Sequence, residues 1–200
     1  MGSPVKKELN LLYKYASDKT FIVETGGGGQ STIWLAKAAR KNNAIMVSIE
    51  ADPDKAGRLD NVEYRCGWSI TFDDVIKKGD PLFVESRYKN VIDRKIAFCD
   101  KSVMKGETDL IRKIYKEKQK DIDFFFCDTG EYCGIAEWNI VKDIIPVGGI
   151  FAIHDIYYPK SSKGFKVCEI IEKSSNWKVL EKTKSKQGLL IAVKISNGEN

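Results

Sequence analysis

Short apolar runs alternate with amphipathic stretches along most of the chain. "TFIVET" (20–25), "AIMVSIE" (44–50), "IDFFFCD" (122–128) and "GIFAIHD" (149–155) have the length and the branched or aromatic content of strands. Between them, "STIWLAKAARKN" (31–42) places Ile33, Leu35, Ala36 and Ala39 on one helical stripe, and "GETDLIRKIYKEKQK" (106–120) does the same with Leu110, Ile111, Ile114 and Tyr115. "GIAEWNIVKDII" (134–145) reads as a helix stopped by Pro146, Gly148 and Gly149, and "FKVCEIIEKSSN" (165–176) as a last helix. An opening helix carries Val5, Leu9, Leu12 and Tyr15 on its apolar side, and "WKVLEKTKSKQGLLIAVKI" (177–195) forms two strands around a polar turn. The alternation predicts an α/β three-layer sandwich: a mainly parallel, seven-stranded sheet closed by a C-terminal antiparallel hairpin. "IDFFFCD", apolar throughout, is its expected centre, buried on both faces. Which segment is third is open, because "RKIAFCD" (94–100) and "VEYRCGWS" (62–69) compete.

Periodicity fails over residues 57–94, an aromatic-rich stretch read as an inserted segment covering a substrate. The length of 200 residues otherwise suits one domain, 1–200. Nothing approaches the roughly 18 apolar residues of a membrane span, and the N-terminus lacks a signal peptide's apolar core. A cytoplasmic protein with no membrane partner is expected. The formal charge of +5 is spread over helix faces with acids interleaved, and no nucleic-acid motif accompanies it. Five cysteines without a C-x-x-C pair read as buried, reduced thiols. A homo-oligomer stays open.

The chemistry concentrates after the first strand, in "VETGGGGQST". Four glycines before a helix start make a loop that a nucleotide-like ligand can approach closely, with helix-end N–H groups as donors. Glu50, about twenty residues on at the end of the second strand, stands where an acid accepts ribose hydroxyls. Dinucleotides and S-adenosylmethionine both fit. Glu24 separates them, since a carboxylate beside the ligand repels a pyrophosphate but suits an ammonium and a sulfonium. The dinucleotide pattern also wants a third glycine where Ser31 stands. The plainer alternative is that Glu24 only caps the loop.

These residues carry a resemblance. "VETGGGGQSTIWLA", "SIEADPD", "FFFCDTGEY" and "VGGIFAIHDI" together resemble the Rossmann-like class I S-adenosylmethionine-dependent methyltransferases, particularly bacterial relatives of sugar and macrolide O-methyltransferases. The likeness spans about residues 20–52 and 95–195. It implies methyl transfer to a small-molecule acceptor, at a hydroxyl oxygen. It also implies a cofactor site of Glu24, Thr25, Gly26, Gly27, Gly28, Ser31, Glu50, Asp100 near the adenine, and Asp128 at the boundary with the substrate. The inserted Gln30 departs from the family's loop. Rival readings are an NAD(P)-dependent oxidoreductase and an inactive S-adenosylmethionine-binding module.

Asp128, His154 and Asp155 end neighbouring strands and should converge. Three roles compete for them. Related cation-dependent enzymes hold a divalent metal with equivalent residues; histidine suits Mn²⁺, Fe²⁺ or Zn²⁺ better than Mg²⁺. His154, the only histidine, could instead be a general base oriented by Asp155. Third, it could be structural. Tyr132, Trp68, Tyr157 and Tyr158 are candidates for an acceptor pocket, and Trp138 for the core.

Overall fold

The computed structural model describes residues 4–55, 57–85, 102, 104, 106–157 and 163–198. In chain order these residues form α1 (Lys6–Ala16), β1 (Phe21–Thr25), α2 (Gln30–Lys41), β2 (Ile45–Glu50), β3 (Glu63–Cys66), α3 (Leu110–Lys118), β4 (Phe124–Cys127), α4 (Glu131–Ile144), β5 (Ile150–His154), α5 (Phe165–Lys173), β6 (Trp177–Lys182) and β7 (Leu189–Lys194). The seven strands make one sheet in the order β3-β2-β1-β4-β5-β7-β6. The first five run parallel, and β7 is antiparallel to both β5 and β6. The α/β sandwich with its closing hairpin is as expected.

The strand period of two builds both faces. Phe124 and Phe126 of β4 pack with Ile22, Ile150 and Ala152 against Leu12, Ala16, Leu35, Ala36 and Ala39 of α1 and α2. Phe125 and Cys127 turn to the opposite face, with Val23, Phe151 and Ile153, against Ile111, Ile114, Ile135, Trp138 and Val167 of α3, α4 and α5. A sheet covered by helices on both faces explains why "FFFC" reads as an unbroken apolar run. On that second face, Trp138 sits between Phe151 and Trp177, with ring centroids at 4.8 and 5.0 Å, in the core as expected.

The structure differs from the sequence reading in detail. "VEYRC" supplies the third strand, so residues 57–94 contribute an edge strand to the sheet. "RKIAFCD" and Asp100 lie outside the described residues. α2 starts at Gln30, and Ile33 points outward while Thr32 and Ala38 are buried. In α1, Val5 is exposed and Glu8 is buried, because Glu8 has hydrogen-bond partners inside the fold. Its Oε1 accepts from the Thr183 hydroxyl at 2.6 Å and from the Ser185 hydroxyl; its Oε2 accepts from the Val5 N–H at 2.9 Å. Glu8 thereby fastens the first helix to the β6–β7 turn. Reduced thiols stand at Cys66, Cys127 and Cys168. Cys133, buried in the first turn of α4 and at the wall of the cleft described below, is disulfide-bonded, contrary to the expectation of a reduced thiol.

Candidate active site

The C-terminal ends of β1, β2 and β4 open onto one cleft of about 510 Å³, lined by the 26–31 loop, Ile49 to Ala51, Asp54, Lys55, Gly67 to Ser69 and Asp128 to Gly130. That is the edge where open α/β sheets hold ligands, and the volume is ordinary for one.

The glycines are needed by the protein itself. Gly26 and Gly27 donate their N–H groups to the Ile49 carbonyl at 3.0 and 3.2 Å, pulling the loop across β2. A Cβ on Gly26 would lie 2.3 Å from the Asp128 carbonyl oxygen, one on Gly27 1.8 Å from Ser48 Oγ, and one on Gly28 1.9 Å from the Lys55 carbonyl oxygen. Gly26 and Gly28 also hold φ of +73° and +82°, which side chains rarely adopt. Gly29 alone of the four faces open space. Strand ends and the 51–55 turn thus press on Gly26 to Gly28 from the protein side, while all three also line the cleft.

Glu24 lies behind the glycines. It is fully buried beneath the loop and does not line the cleft. Its Oε2 accepts from Thr32 Oγ1 at 2.6 Å and Ser48 Oγ at 3.1 Å, and Thr32 Oγ1 accepts from the Gly28 N–H at 2.8 Å. Burial pushes its carboxyl up to about 7 against those hydroxyls. The acid fixes the loop from below, close to the plainer reading of it as a cap. Thr25 also points away from the cleft, donating to Glu137 Oε2 at 2.8 Å within the α4 face.

Ser31, Glu50 and Asp128 do line the cleft, with Gly26, Gly27 and Gly28. Burial raises the Glu50 carboxyl, and its Oε1 accepts the Asp52 N–H at 2.8 Å. Trp68 reaches the cleft; Tyr132 and Tyr157 do not. Tyr132 stacks on Phe83 at 5.0 Å and donates to the Val84 carbonyl at 2.9 Å, holding residues 83–84 over α4. Tyr157 donates to the Thr183 carbonyl at 2.6 Å. Tyr158 lies outside the described residues.

Asp128, His154 and Asp155 converge, with potential ligand atoms within 4.8 Å of one another. His154 Nδ1 lies 3.4 Å from Asp128 Oδ1 and 3.6 Å from Asp155 Oδ1, and Nε2 lies 3.5 Å from Glu8 Oε2. These are ion-pair separations, longer than good hydrogen bonds, and both ring nitrogens are buried. Burial alone would lower the imidazole, but the Asp128 and Glu8 carboxylates overcome it and hold it up at about 9. The fully buried ring is absent from the cleft wall. An imidazolium in that position has no lone pair with which to accept a substrate proton.

Three functional candidates escaped the sequence reading. Lys163, buried, places Nζ 2.8 Å from Asp128 Oδ1 and 3.2 Å from Asp155 Oδ2. Burial alone would lower the lysine, but the two carboxylates raise it. Burial works against the Asp128 charge, and the ammonium with His154 holds its carboxyl below the usual range. Glu8 closes the network on the other side of the ring. Glu137, buried on α4, accepts from Thr25 and from Ser69 Oγ, tying the cleft wall to the core. Lys163 sits in a lysine-rich stretch with nothing to single it out. Glu137 had a signal: a lone acid inside the apolar run "GIAEWNIV".

Neither a family model nor a curated protein sequence matches the chain. Solved structures share its fold. An O-methyltransferase from Bacillus cereus in complex with SAH (S-adenosylhomocysteine) superposes with a TM-score of 0.62 at 17% identity, over 96% of this chain and 82% of that one. The O-methyltransferase TomG from Streptomyces achromogenes, involved in tomaymycin synthesis and solved with SAM, gives 0.57 at 14% identity, over 97% and 82%. An rRNA methylase from Streptococcus thermophilus gives 0.55 at 13% identity, over 98% and 99%. The chain therefore has the α/β fold found in these methyltransferases.

Proposed function

We propose that the protein transfers a methyl group from S-adenosylmethionine to a small molecule, at a hydroxyl oxygen. The observation that carries this reading is the charge of the cleft: Glu50 and Asp54 line it against Lys55, the one cation among the described lining residues, while the third lining acid, Asp128, is paired with Lys163 behind the wall. A pyrophosphate meets repulsion there, whereas a ligand bearing an ammonium and a sulfonium is attracted. Glu50 at the tip of β2 would accept the ribose hydroxyls, and Ile49 and Trp68 supply apolar surface for a base. The loop N–H groups and Ser31 would face the amino-acid end.

The cofactor brings an already activated methyl group. What the protein must supply is alignment and exclusion of water. Asp128, partly exposed at the cleft, is placed to receive and orient an acceptor hydroxyl, with its carboxylate held by Lys163. The buried acids Glu24 and Glu137 keep the loop and Ser69 rigid from behind.

The acceptor is tested by incubating the protein with methyl-labelled S-adenosylmethionine and either a panel of hydroxylated small molecules or ribosomal RNA. Label in a small-molecule ether supports the reading. Label confined to RNA would replace the acceptor while keeping the transfer.

A further inference from the structure

Lys163 brings its ammonium against two acids of the cluster at the ends of β4 and β5. Asp128, His154 and Asp155 bring potential ligand atoms within 4.8 Å of one another, a spacing a divalent ion could bridge. Lys163 Nζ already contacts a carboxylate oxygen of each acid, at 2.8 and 3.2 Å. The lysine is anchored from several directions. Its backbone N–H donates to Glu131 Oε2 at 3.0 Å, and its stem packs on Gly134, where a Cβ would come within 2.6 Å of Lys163 Cγ. Asp155 is held in turn: its N–H donates to the Gly188 carbonyl at 3.0 Å, and its carbonyl accepts from Gly164 at 3.2 Å. The Asp128 N–H donates to the Thr25 carbonyl at 3.1 Å, so both partners of the ammonium are fixed by main-chain contacts.

We infer that Lys163 is a tethered cation that replaces a metal ion in this cluster and positions Asp128 at the acceptor end of the cleft. A divalent ion placed between the two carboxylates would meet the ammonium at close range and be repelled. Two aspartates that share one ammonium also have less charge to offer a metal. The ammonium is a compact point charge that satisfies both acids at once. The role assigned to Asp128 rests on the proposed methyl transfer; the exclusion of metal does not, and the two are tested apart.

The test is Mn²⁺ binding, by calorimetry and by the loss of the free-ion paramagnetic resonance signal, on the full chain. The parent protein and Lys163→Arg are expected to show no site. Lys163→Ala, which removes the ammonium from both carboxylates and leaves His154 beside them, is expected to bind Mn²⁺ at least about tenfold more tightly than the parent, a difference of ~1.4 kcal/mol. A second change, Asp155→Asn, should erase the gain. Lys163→Met keeps the packed stem and serves if the alanine variant does not fold, as judged by thermal melting. Mn²⁺ bound by the parent and lost in Asp155→Asn would overturn the inference, as would a folded Lys163→Ala or Lys163→Met that gains nothing. S-adenosylhomocysteine binding is measured on the same samples, so failure of the cofactor reading is seen separately.

Discussion

Thr32 Oγ1 lies 2.6 Å from Glu24 Oε2 and accepts the Gly28 N–H at 2.8 Å, so one hydroxyl joins the buried acid of β1 to the glycine loop above it. The link makes the loop's shape depend on a group that titrates near neutrality. Burial holds the Glu24 carboxyl up at about 7 against an ordinary value of 4.5. Between those values the unfolded chain has released the proton while the folded one keeps it. Stability from this residue therefore falls as pH rises from about 4.5 to 7 and stays reduced above that.

Glu24→Gln keeps an acceptor for Thr32 and Ser48 and removes the charge. The variant is expected to lose that pH dependence and to gain on the parent at pH 8 relative to pH 5, by up to roughly 3 kcal/mol. Urea denaturation at both pH values measures it. Equal pH dependence in the two proteins would refute the assignment.

The four glycines should respond unequally. Gly28→Ala places a Cβ 1.9 Å from a backbone oxygen at φ +82° and is expected to destabilise by about 2 kcal/mol or more. Gly29→Ala meets nothing within 4 Å and, at a helix N-cap, should cost below about 1 kcal/mol. Thermal melts of both variants give the comparison.

The buried imidazolium sets a second pH dependence. His154 is held up at about 9 from 6.5. Its contribution is fully present below 6.5 and is lost as pH rises through 9. Glu8→Gln removes one carboxylate of that network and is expected to cost roughly 3 kcal/mol at pH 6. The loss should shrink toward pH 10, where the ring is neutral in both proteins. A loss independent of pH would show that Glu8 acts only through its hydroxyl partners.

Glu50→Gln should weaken S-adenosylmethionine binding by about ten- to a hundredfold, the worth of one charged hydrogen-bonded group. Its melting temperature should stay near the parent's, because Glu50 lies at the cleft rim and not in the core. Calorimetry and a melt together separate binding from stability.

The sheet was legible because its strands announce their burial: β4 is apolar at every position, and β1, β2 and β5 end on polar residues at the C-terminal edge of the parallel strands. β3 was ambiguous because an edge strand with half-buried residues carries little hydrophobic signal. For the site, sequence order located Glu50, Ser31 and Asp128, since strand ends in a parallel sheet share one edge. It did not show that Glu24 and Thr25 are buried away from the cleft, because position in a motif does not say on which side of the loop a side chain lies. Lys163 and Glu8 were invisible. Each meets His154 and its neighbours only through long-range packing, from a loop before α5 and from the first helix.

Calorimetric titration of the protein with S-adenosylmethionine, S-adenosylhomocysteine and NADH tests the central claim most directly. Saturable binding of the first two at one site, weakened in Glu50→Gln, with no heat from NADH, is the expected result. Tight NADH binding with no response to the other two would contradict it.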